Sequence, residues 1–265
     1  MKSVSPSFSH VPNFTGYMEV VARHFAGRKQ GLRILDIPAG IGLLADALRG
    51  QGHTVLCGDI NRERADYAYL DMSAPLPLRD AEFDAVVCLE GLEHLVNPVQ
   101  LIAELARVTR AGGEIVVSTP NVQSLYSRLY QLFTGAPYQF NPAAVPAAAP
   151  GADRGHIFPL SYWQLRYLFE QHGARVKSVL GDRYKKKALM PLYLALLPFA
   201  WIASWWMLRR GGDAREAARN DELMRHAFSA PLLYSRSLIL VLEKASTFSS
   251  AAITEAAGRP MRQSL

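Results

Sequence analysis

At 265 residues, 49% apolar and 20% charged, the chain can bury a substantial core, which excludes a disordered polyelectrolyte. A net charge of +6 suits an anionic membrane surface, whereas no basic tail and no basic groove with interleaved aromatics marks a nucleic-acid site, so nucleic acid is not an expected partner. The two cysteines, Cys57 and Cys88, lie in apolar runs, form neither a zinc spacing nor a disulfide framework, and suit a reducing compartment.

The opening MKSVSPSFSHVPNF has no continuous apolar stretch and does not read as a secretory leader. From Arg33 onward, apolar runs alternate with helical patterns. RILDI predicts a strand, GLLADALRG a helix, TVLCGDI a strand, YAYLDM a short strand and EFDAVVCLE another. PVQLIAELARVTR predicts a helix with Val99, Leu101, Ile102, Leu105 and Val108 mainly on one stripe, ended by Gly112-Gly113, and EIVVSTP predicts the next strand. VQSLYSRLYQLF reads as a helix. TGAPYQFNPAAVPAAAPGADRG reads as a long excursion or lid, and SYWQLRYLFEQHG as a helix opened by a capping serine and closed by glycine. ARVKSVL and SLILVLEK predict two late strands separated by an insertion.

Near-continuously apolar strands alternating with helices predict a doubly wound, mostly parallel, Rossmann-like sheet of seven strands, with a long apolar insertion before the last. The expected organisation is an N-terminal helical or irregular segment over 1–30, a core over 31–183, an apolar and basic insertion over 184–230, a returning strand over 231–245 and a flexible tail over 246–265.

The densest chemical signal is ILDIPAGIGLLADAL. A strand ends at Asp36 and the chain turns through Pro38-Ala39-Gly40-Ile41-Gly42 into a helix, where Gly40 and Gly42 let a ligand approach the backbone. An ordinary strand-to-helix turn is the plainer alternative. Asp59 ends the next strand, where a carboxylate accepts from ribose hydroxyls, unless it serves only as a turn residue. Gly40, Gly42 and Ala45 also satisfy GxGxxA, so an NAD-dependent oxidoreductase competes. Asp71 follows at the end of the short third strand.

LDIPAGIG, GDI, LDMSAPLPLRDAEFDAVVCLEGLEHL, STPN and HIFPLSYWQLRYLFEQHGA, in that order, resemble the class I S-adenosylmethionine-dependent methyltransferases, especially the small-molecule branch related to ubiquinone-biosynthesis enzymes. The resemblance runs over residues 30–180 and resumes in SLILVLEK. It implies S-adenosylmethionine as cofactor, with Asp36 beside its amino-acid end, Gly40 and Gly42 lining its approach and Asp59 on the ribose hydroxyls. It further implies Asp71 on the adenine amino group, Met72 against the ring, and Leu89 or Glu90 beside the sulfonium. Pro38 departs from the pattern: it stands where the family carries its first glycine, removing an amide donor and fixing φ. The implied chemistry is direct displacement of the methyl group by an oxygen, less readily a carbon, of a small lipid-like or quinone-like substrate. A noncatalytic interaction protein on the same fold is the other alternative.

LEGLEHL adds Glu90, Glu93 and His94, which share one side if a helix begins there. Some relatives use this E-x-x-E-H arrangement for a divalent metal, and His156 in RGHIFP matches the histidine that completes the set in small-RNA end methyltransferases. In others the same residues cap, bond to backbone or shape the substrate mouth. The resemblance therefore admits a metal at Glu90, Glu93, His94 and His156, but none is expected. Without one, His94 and His156 remain the candidate catalytic bases or substrate contacts, with Tyr126 and Tyr138 as further pocket hydroxyls.

LMPLYLALLPFAWIASWWML, from Leu189 to Leu208, carries no formal charge and is bounded by Lys185-Lys186-Lys187 and Arg209-Arg210. A helix of this length approaches the ~30 Å hydrocarbon thickness of a bilayer. Trp201, Trp205, Trp206 and Tyr193 suit a membrane interface, and the basic flanks suit anionic headgroups. Return of SLILVLEK to the same sheet argues against a single span, and Pro191 and Pro198 offer breaks. A re-entrant or surface-lying element is expected, covering the active site and admitting an apolar substrate, on a cytoplasmic protein peripheral to the inner face of a membrane. No repeat or coiled-coil pattern fixes an oligomeric state.

Overall fold

A computed structural model describes residues 11–61, 64–140, 155–184, 186–208 and 214–246. Most of the Pro/Ala-rich excursion after Phe140, the tail from 247, Lys185 and the Arg209-Arg210 flank lie outside the described residues. In chain order the elements are α1 (Gly16–Ala26), β1 (Arg33–Asp36), α2 (Leu43–Gly50), β2 (Thr54–Asp59), β3 (Tyr67–Tyr69), β4 (Phe83–Leu89), α3 (Pro98–Val108) and β5 (Thr109–Pro120). They continue with α4 (Leu125–Thr134), α5 (Tyr162–Gln171), β6 (Ala174–Gly181), α6 (Met190–Leu208), α7 (Ala214–Ala227), α8 (Ala230–Tyr234) and β7 (Ser237–Lys244).

The seven strands form one sheet in the order β3-β2-β1-β4-β5-β7-β6, with the first five parallel and β7 antiparallel to both neighbours. Helices cover both faces, so strand side chains are buried on both. Leu35, Val86, Val117 and Leu240 belong to one core with α3 and α5, while Ile34, Val87, Val116 and Ile239 belong to the other with α1 and α2. α1 contributes Tyr17, Val21 and Phe25, spaced by four residues, as its buried stripe. α5 begins with a capping box, Ser161 accepting from the Gln164 amide while Gln164 accepts from Ser161.

Three local expectations are corrected. α3 stops at Val108, before Gly112-Gly113, and both glycines lie within β5. Gly113 is required by close approach: a Cβ there would lie 2.8 Å from the Asp84 carbonyl oxygen, beside the irregular pairing at Phe83 and Ala85. LEGLEHL does not open an α-helix. Glu90 turns the chain at φ +49° and only Leu92–His94 forms a short 3₁₀ turn, so helical i, i+4 spacing does not align Glu90 with His94. Pro198 does not break the apolar insertion; α6 runs through it.

The base of α6 packs on the fold through Tyr193, which is buried with Leu125 and Leu233 and flanked by Met190 and Leu197. Beyond that base, Phe199, Ile202, Trp206 and Met207 are exposed. Within Lys187–Leu208, an 18-residue window has a mean hydropathy of 1.6 yet only 6% of its residues are buried, opposite to a core helix of a globular protein.

Candidate active site

A cavity of about 620 Å³ opens at the carboxyl ends of β1, β2 and β4, where a doubly wound sheet presents ligands. Of the sequence-predicted cofactor residues, Asp36, Gly40, Asp59, Asp71, Met72, Leu89 and Glu90 all line it, together with Pro38 and His94. Gly42 stands just behind the lining, at the start of α2.

The glycine turn is tied to the strand beside it. The Gly40 amide donates to Asp59 Oδ2 at 2.8 Å, and the Asn61 amide donates to Asp59 Oδ1 at 3.0 Å. The Gly40 carbonyl accepts from the Asn61 side chain at 2.9 Å and from the Tyr67 hydroxyl at 3.1 Å. Gly42 has φ +84°, and a Cβ there would lie 2.5 Å from Arg64 Nη1 and 2.7 Å from the Tyr67 hydroxyl. The conformation demands glycine, while the space would open only if the ends of Arg64 and Tyr67 moved. Pro38 is accommodated by a second glycine across the cavity floor, since a Cβ on Gly91 would meet Pro38 Cδ at 2.7 Å. Sequence reading singled out Pro38 but not Gly91, whose role shows only when β1 and β4 are adjacent.

Asp36 is 2% exposed and its Oδ2 has no hydrogen-bond partner. Burial, with the Asp59 charge adding, pushes its carboxyl up to about 7. An uncompensated buried carboxyl at the cavity floor fits the cationic, amine-bearing end of S-adenosylmethionine. Asp71 accepts from the Ser73 amide at 2.8 Å and the Ser73 hydroxyl at 2.6 Å, both on Oδ1, which orients the carboxylate at the cavity edge.

Beside the cavity, which His94 lines, Glu93, His94 and His156 converge, with potential ligand atoms within 4.8 Å of one another. Glu90 is not in this group. Its Oε1 accepts from the Ser118 hydroxyl at 2.9 Å, and burial pushes its carboxyl up to about 7. Glu93 is fully buried, neither carboxyl oxygen has a partner, and burial next to Glu90 holds its carboxyl well above the ordinary range. The Glu93 carbonyl accepts from the Ile157 and Phe158 amides at 2.9 and 3.0 Å, which brings the segment carrying His156 against the turn carrying His94. The rings meet edge to face with centroids 4.9 Å apart. His156 Nδ1 lies 3.0 Å from the Gln139 main-chain oxygen, and a carbonyl only accepts, so Nδ1 is the donor and Nε2 is the nitrogen that accepts in the neutral ring.

Tyr126 and Tyr138 pack edge to face at 4.8 Å, with Tyr130 beside them, as part of the aromatic wall between α4 and the base of α6. Sequence reading missed Tyr17, which reaches the cavity from α1. The helical stripe of α1 was legible, but nothing local marked its tyrosine as facing a site.

The strand order departs from the dinucleotide order 3-2-1-4-5-6 by the antiparallel β7 wedged between β5 and β6. A family model described as a methyltransferase domain matches residues 35–117. A ubiquinone biosynthesis O-methyltransferase from Coxiella burnetii is 31% identical over 169 residues, covering 58% of this chain and 68% of the relative. One from Dechloromonas aromatica is 32% identical over 105 residues, covering 34% of this chain; the chain spans only 45% of that relative's length. Among solved structures, a SAM-dependent methyltransferase from Archaeoglobus fulgidus shares the fold, with a TM-score of 0.52 at 17% identity over 86% of this chain and 94% of that one.

Proposed function

This chain belongs to the class I S-adenosylmethionine-dependent methyltransferases, related to the ubiquinone-biosynthesis O-methyltransferases, and from that membership we propose that it methylates an oxygen of a small, lipid-like or quinone-like acceptor at an anionic membrane surface. The observation that carries the choice of oxygen is the convergence of Glu93 and His156 on His94, which lines the cofactor cavity.

When bound, S-adenosylmethionine supplies an electrophilic methyl group on a sulfonium leaving group. Asp59 would accept from its ribose hydroxyls, Asp71 from its adenine amino group, and Asp36 would face its amino-acid end. Gly40 and Gly42 keep the turn free of side chains, Met72 would pack against the ring, and Leu89 and Glu90 would border the reacting end. Alignment of the acceptor oxygen with the methyl carbon and exclusion of water supply most of the assistance that such a leaving group needs. A phenolic acceptor must also lose its proton. His156 Nε2, held in the acceptor tautomer by Gln139, is the base that fits, and His94 borders the acceptor. The donor set of Glu93, His94 and His156 also fits a divalent cation, which would polarise a substrate oxygen there.

α6 supports the membrane surface. It is apolar around its whole circumference and, beyond its base at Tyr193, largely unburied, and Lys186 and Lys187 precede it. Because β7 returns to the sheet after α6, both ends of the helix remain tied to the same body, so a surface-lying or re-entrant placement is the one we propose.

The test is incubation of the full chain with S-adenosylmethionine and lipid vesicles containing a catechol-headed isoprenoid, followed by mass spectrometry of the products. Equal amounts of S-adenosylhomocysteine and an O-methylated acceptor are expected. Methyl incorporation only into nitrogen or carbon, or none with a panel of phenolic lipids, would overturn the assignment to oxygen.

A further inference from the structure

The carboxyl edge of the sheet carries a cation that this chemistry leaves unused. Arg236 directly precedes β7, and its backbone is fixed on both sides. Its amide donates to the Arg183 carbonyl at 3.0 Å, and its carbonyl accepts from the Asn121 amide at 2.9 Å. The Gln139 side-chain amide lies 3.5 Å from the same carbonyl. Ser237, the next residue, pairs with Pro120 at the end of β5, and β7 lies between β5 and β6, so Arg236 stands at the rim of the sheet between the ends of β5 and β6 rather than on its outer edge.

The side chain is half-buried, and its charge reaches Tyr17, Glu90 and Glu93. Tyr17 and Glu90 line the cofactor cavity. Among the described residues, the guanidinium makes no ion pair and no hydrogen bond. Glu90 is engaged by Ser118 instead, and both Glu93 oxygens are without a partner. Arg166 shows how this fold treats a guanidinium that serves packing: it is paired with Glu170 at 2.6 Å and faces Glu222 at 3.6 Å. Arg236 has a rigid main-chain mount, a position at the substrate side and unused donors, and a guanidinium is the side chain best shaped for a planar or tetrahedral oxyanion.

We propose that Arg236 recognises an anionic oxygen group, a carboxylate or a phosphate, on the methyl acceptor. This rests on the reading of the cavity as a methyltransferase site with its acceptor beside His94 and His156. The acceptor is then amphipathic in a specific sense: a nucleophilic hydroxyl at the histidines, an acidic group at Arg236, and an apolar remainder toward α6. Arg236 sets specificity without handling the transferred proton, so its loss acts on acceptor affinity rather than on cofactor affinity.

The experiment titrates the full chain, saturated with S-adenosylhomocysteine, with 3,4-dihydroxybenzoate, with its uncharged amide and with inorganic phosphate. The same titrations are made on Arg236→Gln and Arg236→Lys. Wild type is expected to bind at least one of the two oxyanions at least tenfold more tightly than the amide. That preference is expected to disappear in Arg236→Gln and return in part in Arg236→Lys, with S-adenosylhomocysteine affinity and melting temperature unchanged. Tight binding of the benzoate alone identifies a carboxylate, and competition by phosphate identifies a phosphate. Wild type that binds neither the benzoate nor phosphate more tightly than the amide, including no binding of any of the three, overturns the proposal, as does a preference that survives Arg236→Gln. If Arg236→Gln lowers the melting temperature and cofactor-product affinity while keeping the preference, the residue is only a counter-charge for the glutamates. Folded wild type that binds no S-adenosylhomocysteine fails the underlying methyltransferase reading, and the proposal with it.

Discussion

The Gly40 amide donates to Asp59 Oδ2 across 2.8 Å, which locks the turn after β1 to the carboxylate that ends β2. Two segments separated by α2 therefore act as one rigid element at the cavity wall, and Asn61 closes the same loop from the other side. A ribose placed there meets a carboxylate that is already oriented, with little ordering left to do on binding.

Asp59→Asn is the substitution that reads this element. It keeps the size of the side chain while exchanging one acceptor oxygen for an amide donor. Loss of charge-assisted acceptance from the ribose hydroxyls should weaken S-adenosylmethionine binding by about 10- to 100-fold. Calorimetric titration checks it; an unchanged dissociation constant would remove Asp59 from the cofactor site.

Asp36 makes stability depend on pH. Its carboxyl has an ordinary value of 3.8 in the unfolded chain and about 7 when folded. Below pH 3.8 both states hold the proton and the group adds no pH-dependent cost. Between 3.8 and 7 the folded state retains a proton that the unfolded state has lost, so stability falls as pH rises, and above 7 the full cost persists. Asp36→Asn should therefore match wild type near pH 4 and exceed it at pH 8, by up to about 4 kcal/mol. A bound cationic cofactor favours the ionised form, so wild-type affinity should rise with pH up to about 7 and the variant's should not. Thermal melts and titrations at the two pH values measure both effects.

The parts of this architecture that were legible in the sequence are those that depend on local pattern. Apolar runs such as TVLCGD and SLILVLEK are buried on both faces and become β2 and β7, and Ser161 with Gln164 forms the capping box at the start of α5. Asp36, Gly40, Asp59 and Asp71 were visible because a strand-ending acid or a turn glycine falls at the sheet's carboxyl edge wherever strands alternate with helices. What stayed hidden depends on contacts between distant segments. Gly91 is needed because Pro38 packs on it, Gln139 sets the tautomer of His156, and Tyr17 enters from α1. Helical spacing misled at Glu90, where positive φ turns the carboxyl to Ser118 while Glu93 joins the histidines.

His94→Ala and His156→Ala separate catalysis from cofactor binding. Removal of a general base costs typically 10²–10⁴-fold in turnover. His156→Ala should lower kcat by about 10²-fold, His94→Ala should lower it substantially, and S-adenosylmethionine affinity should stay within about twofold in both. Equal losses in kcat and cofactor affinity would assign the histidines to the cofactor instead.

Exposed tryptophans on α6 provide a membrane readout. Trp201 is 47% exposed and Trp206 58%, and each adds several tenths to a few kcal/mol of interfacial binding when its ring leaves water. The double substitution Trp201→Ser, Trp206→Ser should reduce recovery on anionic vesicles at least about tenfold. Wild-type recovery should fall with added salt, because basic residues beside α6 meet anionic headgroups. Recovery that is insensitive to both changes would leave α6 to a protein partner.

The most direct test of the central claim is calorimetric titration of the folded, cofactor-free chain with S-adenosylmethionine, with NAD as a matched comparison. The cavity built from Asp36, Gly40, Asp59 and Asp71 predicts saturable one-to-one binding of S-adenosylmethionine and none of NAD. Binding of NAD alone, or of neither ligand by folded protein, would contradict it.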